Sequence, residues 1–229
     1  MENLIAENNV TNLCVMYIPS DYGEETNEAA MDITNNNPNV TLVEASSHRP
    51  DETDFSGAIA KLKDSGCELV ALSLTIRGAI TAVGTANAMG WDDVKFIAPV
   101  TGFPPAVAEA PGGASEGLYA VSYYNDLDLR ADEPETKAWV EKYEATTGED
   151  VSAGAILGYL SAKVTVEGLK AAGADLNADT FNSGLETVSF VDGITGSTVA
   201  ITPESHVAIN DIYLSQVQDG QWKTVTQLK

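Results

Sequence analysis

Between residues 12 and 122 short apolar runs alternate with stretches of helix length, and this alternation leaves few architectures open. The runs are Leu13–Tyr17 (LCVMY), Val40–Ala45, Leu69–Leu74 (LVALSL), Lys95–Val100 and Leu118–Ser122. Consecutive apolar residues, rather than alternating ones, mark strands covered on both faces. Strands of that kind pair in parallel, and each parallel return needs a crossover of helix length. The connections qualify. Tyr22–Thr34 begins with acidic residues and stops at Asn-Asn-Asn-Pro. In DETDFSGAIAKLKDSG, Thr53 or Asp54 is a cap, Phe55, Ile59 and Leu62 share one face, and Gly66 lies past the end. Ile76–Met89 is a helix of small residues and Pro104–Ala110 a shorter one. Residues 1–122 are therefore expected to form a complete, doubly wound α/β unit with a parallel sheet.

After Tyr123-Tyr124-Asn125 the pattern changes. Glu135–Thr146, Ala153–Ala172 and Asp179–Val188 read as helices, and Ser205–Gln227 alternates apolar and polar residues around Asp219-Gly220, a hairpin signal. Three amphipathic helices without a sheet leave apolar surface uncovered. The expected cover is an upstream segment absent from this chain, with a partner chain over residues 133–190 or a self-contained helical subdomain as alternatives. The expected divisions are 1–122, 123–204 and 205–229.

Acidic residues outnumber basic ones 34 to 12, for a formal charge of -22. Such a surface repels phosphate backbones and anionic lipid headgroups, so nucleic acid is not an expected partner. The nearest approach to a long apolar stretch, Ala153–Val166, is interrupted by Tyr159 and Lys163. The first nine residues show neither the basic region nor the apolar run of an export signal. Cys14 and Cys67 each open an apolar run and are expected as inert buried thiols rather than as a bridge or metal site.

Several motifs fail on context. Gly113-Ala114-Ser115-Glu116-Gly117 matches G-x-S-x-G, but that elbow needs a strand before the serine and a helix after it, and the order here is reversed. Of the histidines available as a base, His48 is placed in a polar loop and His206 in the terminal hairpin, at a hinge or the surface. Neither G-x-G-x-x-G nor a P-loop occurs, so no cofactor is expected. The run Asp126, Asp128, Asp132, Glu133, Glu135 lacks the glycine and final glutamate of a calcium loop, so no metal is expected. Asn9-Val10-Thr11 and Asn39-Val40-Thr41 match the glycan acceptor tripeptide, which is short enough for chance to supply.

A strand followed by DYGEETNEA, then TDFSGAIAKLKDSGCELVALS, SEGLYAVSYYN, SAGAILGYLSAKVTVEGLKAAG and ITPESHVAINDIYLSQVQDGQW occur in this order. In order and spacing they resemble the type I periplasmic binding proteins of ABC transporters, in the Leu/Ile/Val-binding and amide/urea-binding branch. The resemblance implies two lobes joined by three chain crossings and a small ligand held in the cleft. It places residues from about Asn12 to Tyr119 in the second lobe. Asp126 to about Pro203 become helices of a first lobe whose sheet belongs to the N-terminal segment. The implied protein is not an enzyme. It captures an amino acid, an amide or urea-like compound, or a carboxylic acid, and delivers it to a membrane permease from a periplasmic or extracellular position, with or without a lipid anchor. The alternative is a ligand-sensing module of a receptor or regulator with the same fold.

Ligands of open parallel sheets sit beyond the carboxyl ends of the strands. Three loops there supply candidates. Tyr22 matches the family's tyrosine-glycine motif, whose ring faces the ligand. Ser73 and Thr75 offer hydroxyls, with helix capping as the competing role. Thr101, the backbone of Gly102 and the ring of Phe103 come from the third loop. Tyr123, at the expected lobe crossing, either reaches the ligand or packs the hinge. The family's amino acid binders carry an acidic residue in the third loop, where this chain reads Pro-Val-Thr-Gly-Phe. A buried ammonium without a carboxylate is costly, which shifts the expectation toward an amide, urea-like or carboxylate ligand.

Overall fold

The structure is a computed structural model that describes residues 1–124 and 127–228. In chain order its elements begin with α1 (Glu2–Asn8), β1 (Asn12–Tyr17), α2 (Asp21–Asn36), β2 (Thr41–Ser47), α3 (Ser56–Asp64), β3 (Leu69–Ser73) and α4 (Ile76–Ala88). They continue with β4 (Lys95–Ala98), α5 (Pro105–Ala108), β5 (Tyr119–Ser122), α6 (Pro134–Thr147), α7 (Ala153–Ala172) and α8 (Ala178–Leu185). The last are β6 (Ser189–Val191), β7 (Thr198–Ala200), β8 (Ile212–Gln218) and β9 (Gln221–Leu228). Asn125 and Asp126, the latter opening the expected acidic run, lie outside the described residues. The chain divides into two compact units, Met1–Ser122 with Leu214–Leu228, and Tyr123–Tyr213.

The first unit is built on a seven-stranded sheet in the order β2-β1-β3-β4-β5-β8-β9. Strands β1 to β5 pair in parallel. The register sets Leu13 beside Leu69 and Val15 beside Ala71, all buried against Leu4, Ile5, Ala30 and Val40. Their neighbours Met16 and Leu72 point to the opposite face and are also buried. Every residue of β3 is buried, as consecutive apolar residues in a central strand require. Each such leucine or methionine contributes about 1.5–3 kcal/mol by leaving water. A parallel return in one sheet is right-handed, so the reversal of direction after β2 puts α2 on one face and α3 and α4 on the other.

Local chemistry sets the element ends. Ser20 caps α2 by accepting from the Gly23 N–H (3.4 Å), and Thr75 caps α4 by accepting from the Gly78 N–H (3.1 Å). α3 starts at Ser56, whose N–H donates to Asp54 Oδ1 (2.9 Å). The β8–β9 turn places Asp219 and Gly220 at φ 57° and 73°, the paired left-handed conformation of a tight hairpin. Glu116 accepts from both turn N–H groups, at 3.0 and 3.4 Å.

The cysteines depart from expectation. Cys14 and Cys67 form a disulfide, with Cα atoms 5.8 Å apart and a sequence separation of 53. β2 separates them along the chain, but it pairs on the far side of β1. The residue leading into β3 therefore comes to lie beside β1.

In the second unit α7 packs on α8 through glycine. A Cβ at Gly184 would sit 2.7 Å from the Gly168 carbonyl oxygen, so the two helices approach backbone to backbone. Ser152 caps α7 (3.1 Å), and Asn177 with Thr180 makes a capping box on α8. Strands β6 and β7 form a two-stranded antiparallel sheet. Ile156 and Leu160 of α7 are buried, whereas Leu157 is 52% and Val166 46% exposed. No described helix is long and apolar enough to cross a membrane.

The β6–β7 connection is organised by Asp192, whose side chain is fully buried. Its Oδ1 accepts from Lys163 Nζ (2.6 Å) and the Tyr159 hydroxyl (2.8 Å). Its Oδ2 accepts from the Thr195 N–H (2.8 Å), the Thr195 hydroxyl (2.9 Å) and the Ile194 N–H (3.2 Å). Arg130 donates to the carbonyls of Gly193 and Ile194, each at 2.9 Å.

Candidate functional site

From β1 the chain crosses to one side of the sheet, and from β3 to the other. Between the carboxyl ends of such a pair the flanking connections diverge and open a crevice. The loops are tied to the strand ends. The Ile18 N–H donates to the Ser73 carbonyl (3.0 Å), and the His48 N–H to the Tyr17 carbonyl (2.8 Å).

Hydroxyl groups gather there. Tyr22, in the first turn of α2, shares a 2.5 Å hydrogen bond with the Thr101 hydroxyl. The Ser73 hydroxyl, fully buried at the end of β3, donates to Thr26 and also engages Tyr22. Burial pushes the Tyr22 phenol above its ordinary value, against the opposing hydrogen bonds to Thr101 and Ser73. The phenol stays protonated at neutral pH and can donate. Glycine follows Tyr22 for a steric reason, since a Cβ at Gly23 would lie 1.9 Å from the Ile18 carbonyl oxygen. Thr75 caps α4, whose first turn presents unsatisfied N–H groups and Arg77, with no acidic residue. Neutral hydroxyl donors beside a helix N-terminus suit a carboxylate or another polar oxygen acceptor.

The structure thus brings together Tyr22, Ser73 and Thr101, with Thr75 at the adjoining helix start. The remaining candidates make other contacts. The Gly102 N–H donates to the Pro99 carbonyl (2.8 Å), and a Cβ there would meet Ala98 at 2.4 Å, so this glycine permits a tight turn. Phe103 is 2% exposed and packs on Trp222 with ring centroids 5.0 Å apart, in the core under the loop. Tyr123 lies in the second unit, its ring edge-on to Tyr124 and its carbonyl accepting from Ser197 (2.8 Å). There it lines an apolar groove of about 530 Å³ with Leu157, Leu160, Phe181 and Ile201. Thr26 was not among the candidates, although it lies four residues after Tyr22, one helical turn on.

The histidines serve no catalytic group. His48 lies in the polar loop after β2, with its side chain 6% exposed. It bonds Ser46 and Glu52 (3.1 Å) and meets Phe55 edge-on. His206 is exposed beside Glu186 (3.1 Å). Ser115 is fully buried and donates to the Val107 carbonyl, so its oxygen is a structural donor with no histidine among its hydrogen-bond partners. Among the described residues no three His, Cys, Asp or Glu side chains converge as a metal site.

A doubly wound unit with hydroxyl donors gathered at its switch point has the architecture of a small-molecule-binding lobe. The family model described as periplasmic binding protein matches residues 1–221, and the chain belongs to that family. No curated protein sequence matches it. Solved structures share its fold at low identity. A branched-chain amino acid ABC transporter protein from Thermus thermophilus with bound valine superposes with a TM-score of 0.85 at 16% identity, over 99% of this chain and 62% of that one. A fatty acid ABC transporter substrate-binding protein from Thermomonospora curvata gives 0.81 at 20% identity, over 99% and 60%. A solute-binding protein from R. palustris in complex with benzoate gives 0.78 at 18% identity, over 98% and 60%. The chain therefore spans about three fifths of the length of these neighbours.

Proposed function

We propose that this chain is the larger part of the solute-binding component of an ABC importer, and that it captures a small organic carboxylate. The observation that carries the reading is the convergence of Tyr22, Ser73 and Thr101 beside the start of α4. Valine and benzoate, named with two of the structural neighbours, both carry a carboxylate. The loop Pro99–Phe103 contains no acidic residue to receive an ammonium, which favours a simple acid over an α-amino acid. A ligand that bridges two lobes favours their closed state by its differential affinity, and the closed form is what a membrane permease would accept. The role involves no bond making or breaking, so the protein is not an enzyme. A disulfide between Cys14 and Cys67 supports a periplasmic or extracellular location. The exposed apolar side of α7 is, in this reading, covered by β-structure from an upstream segment of the family's first lobe.

The test is calorimetric titration of the full-length protein with benzoate, valine and an aliphatic amide. At least one carboxylate is expected to bind, and Tyr22→Phe is expected to weaken it about tenfold, the equivalent of one hydrogen bond to a charged group. Unchanged affinity in both Tyr22→Phe and Ser73→Ala would remove the site from these loops.

A further inference from the structure

The tripeptide Asn-Val-Thr occurs twice, at residues 9–11 and 39–41, and the fold treats both copies alike. Each leads into a strand, the first into β1 and the second into β2, which are neighbours in the sheet. Val10 and Val40 are 5% and 4% exposed and belong to one core cluster. The flanking residues Asn9, Thr11, Asn39 and Thr41 are all exposed. Core packing explains the valines; in the first copy the Thr11 hydroxyl donates to Glu68 (3.1 Å) and Asn9 caps α1, while the side chains of Asn39 and Thr41 face solvent. The Thr41 N–H donates to the Thr11 carbonyl (2.8 Å), so the two acceptor sequences sit side by side. Asn9 ends α1 in a left-handed conformation (φ 52°), and Asn39 lies in the turn after Pro38. Both are places where the chain bends toward solvent.

We infer that Asn9 and Asn39 are N-glycosylation acceptors and that the amino-end pole of the first unit carries two adjacent glycans. The reaction class is transfer from a lipid-phosphate-linked oligosaccharide. The asparagine Nδ2 forms a bond to C1 of the first sugar, the C1–O bond to the lipid phosphate breaks, and the amide proton leaves with the released phosphate; nothing is oxidised or reduced. The exported location proposed above, which the Cys14–Cys67 disulfide supports, is the kind of setting where such transfer occurs. Because β1 and β2 are parallel, their amino ends lie at the opposite pole from Tyr22 and Ser73. Sugar there leaves the proposed ligand loops clear and adds neutral bulk to a strongly acidic surface.

The experiment is peptide mass spectrometry of the full-length protein purified from its own host, with Asn9→Gln, Asn39→Gln, Thr11→Val and Thr11→Ser variants. Hexose-type mass additions are expected on both peptides, each lost in its own Asn→Gln variant. Thr11→Val is expected to abolish the Asn9 addition and Thr11→Ser to keep it. Unmodified Asn9 and Asn39 peptides from exported, disulfide-bonded protein would overturn the inference while leaving the solute-binding reading standing. Glycan loss that shifts solute affinity more than about twofold would overturn the placement of the glycans away from the ligand.

Discussion

Asp192 ties α7 to the β6–β7 connection in the second unit. Burial alone would raise its carboxyl, but Lys163, the Thr195 N–H and the Tyr159 hydroxyl hold it below the ordinary range. Burial likewise opposes the Lys163 ammonium, while Asp192 and Tyr159 lift it above its usual value. A depressed acid contributes stability above its unfolded pKa of about 3.9 and loses it as pH falls through the folded value. A raised base contributes below about 10.4 and loses its share as pH climbs through the folded value. Asp192→Asn is therefore expected to cost about 2–3 kcal/mol at pH 7, measured by urea unfolding, with the difference from wild type shrinking below about pH 4. An equal difference at pH 7 and pH 3 would refute the electrostatic origin. Tyr22 was a candidate through its match to the family's tyrosine-glycine motif, and the structure supplies the reason for the glycine, the approach of the Ile18 carbonyl to Gly23. Asp192 was not legible, because Lys163 lies 29 residues away and only the packing of α7 beside β6 brings them together.

At the scale of elements, periodicity carried most of the first unit. The strands of β1 to β5 and the helices between them occupy the stretches the apolar runs mark out, because buried parallel strands advertise themselves by unbroken apolar sequence. α1 was missed. Its seven residues bury only Leu4 and Ile5, too few for a periodic signal. The Asp219-Gly220 hairpin was legible from turn chemistry, but its strands continue the sheet beside β5, which turn chemistry cannot specify. The disulfide is an element-scale device, since it joins β1 to Cys67, two residues before β3, across 53 positions. Closing a loop of that length in the unfolded chain is worth about 4 kcal/mol in the entropic account. Cys67→Ser is expected to lower stability by up to that amount, and dithiothreitol to do the same to wild type without further effect on the variant. A variant as stable as wild type under both conditions would show that the bridge does not constrain the unfolded chain.

For the whole molecule, charge dominates behaviour in solution. With 34 acidic and 12 basic residues, the folded chain concentrates like charges that the unfolded one spreads apart. Raising sodium chloride from about 0.1 to about 1 M shortens the screening length from about 10 to about 3 Å. The thermal midpoint is expected to rise, by about 2–4 °C for each kcal/mol of repulsion relieved. A midpoint that falls across this range in scanning calorimetry would show that the ion pairs outweigh the repulsion. Glu186–His206, Lys170–Glu167 and Lys223–Asp219 are exposed pairs worth little individually, so the prediction favours screening.

The sequence by itself determined the alternation of strands and helices, the burial of the sheet on both faces and the acidic surface. Each follows from local composition and spacing, which any stretch of chain carries with it. Tertiary structure alone decided the neighbours: Cys14 with Cys67, Ser73 with Thr26, Asp192 with Lys163, and Phe103 turned into the core against Trp222. Those pairings depend on strand order and helix docking. These are set by how the whole apolar surface can be covered at once, and no single segment encodes that.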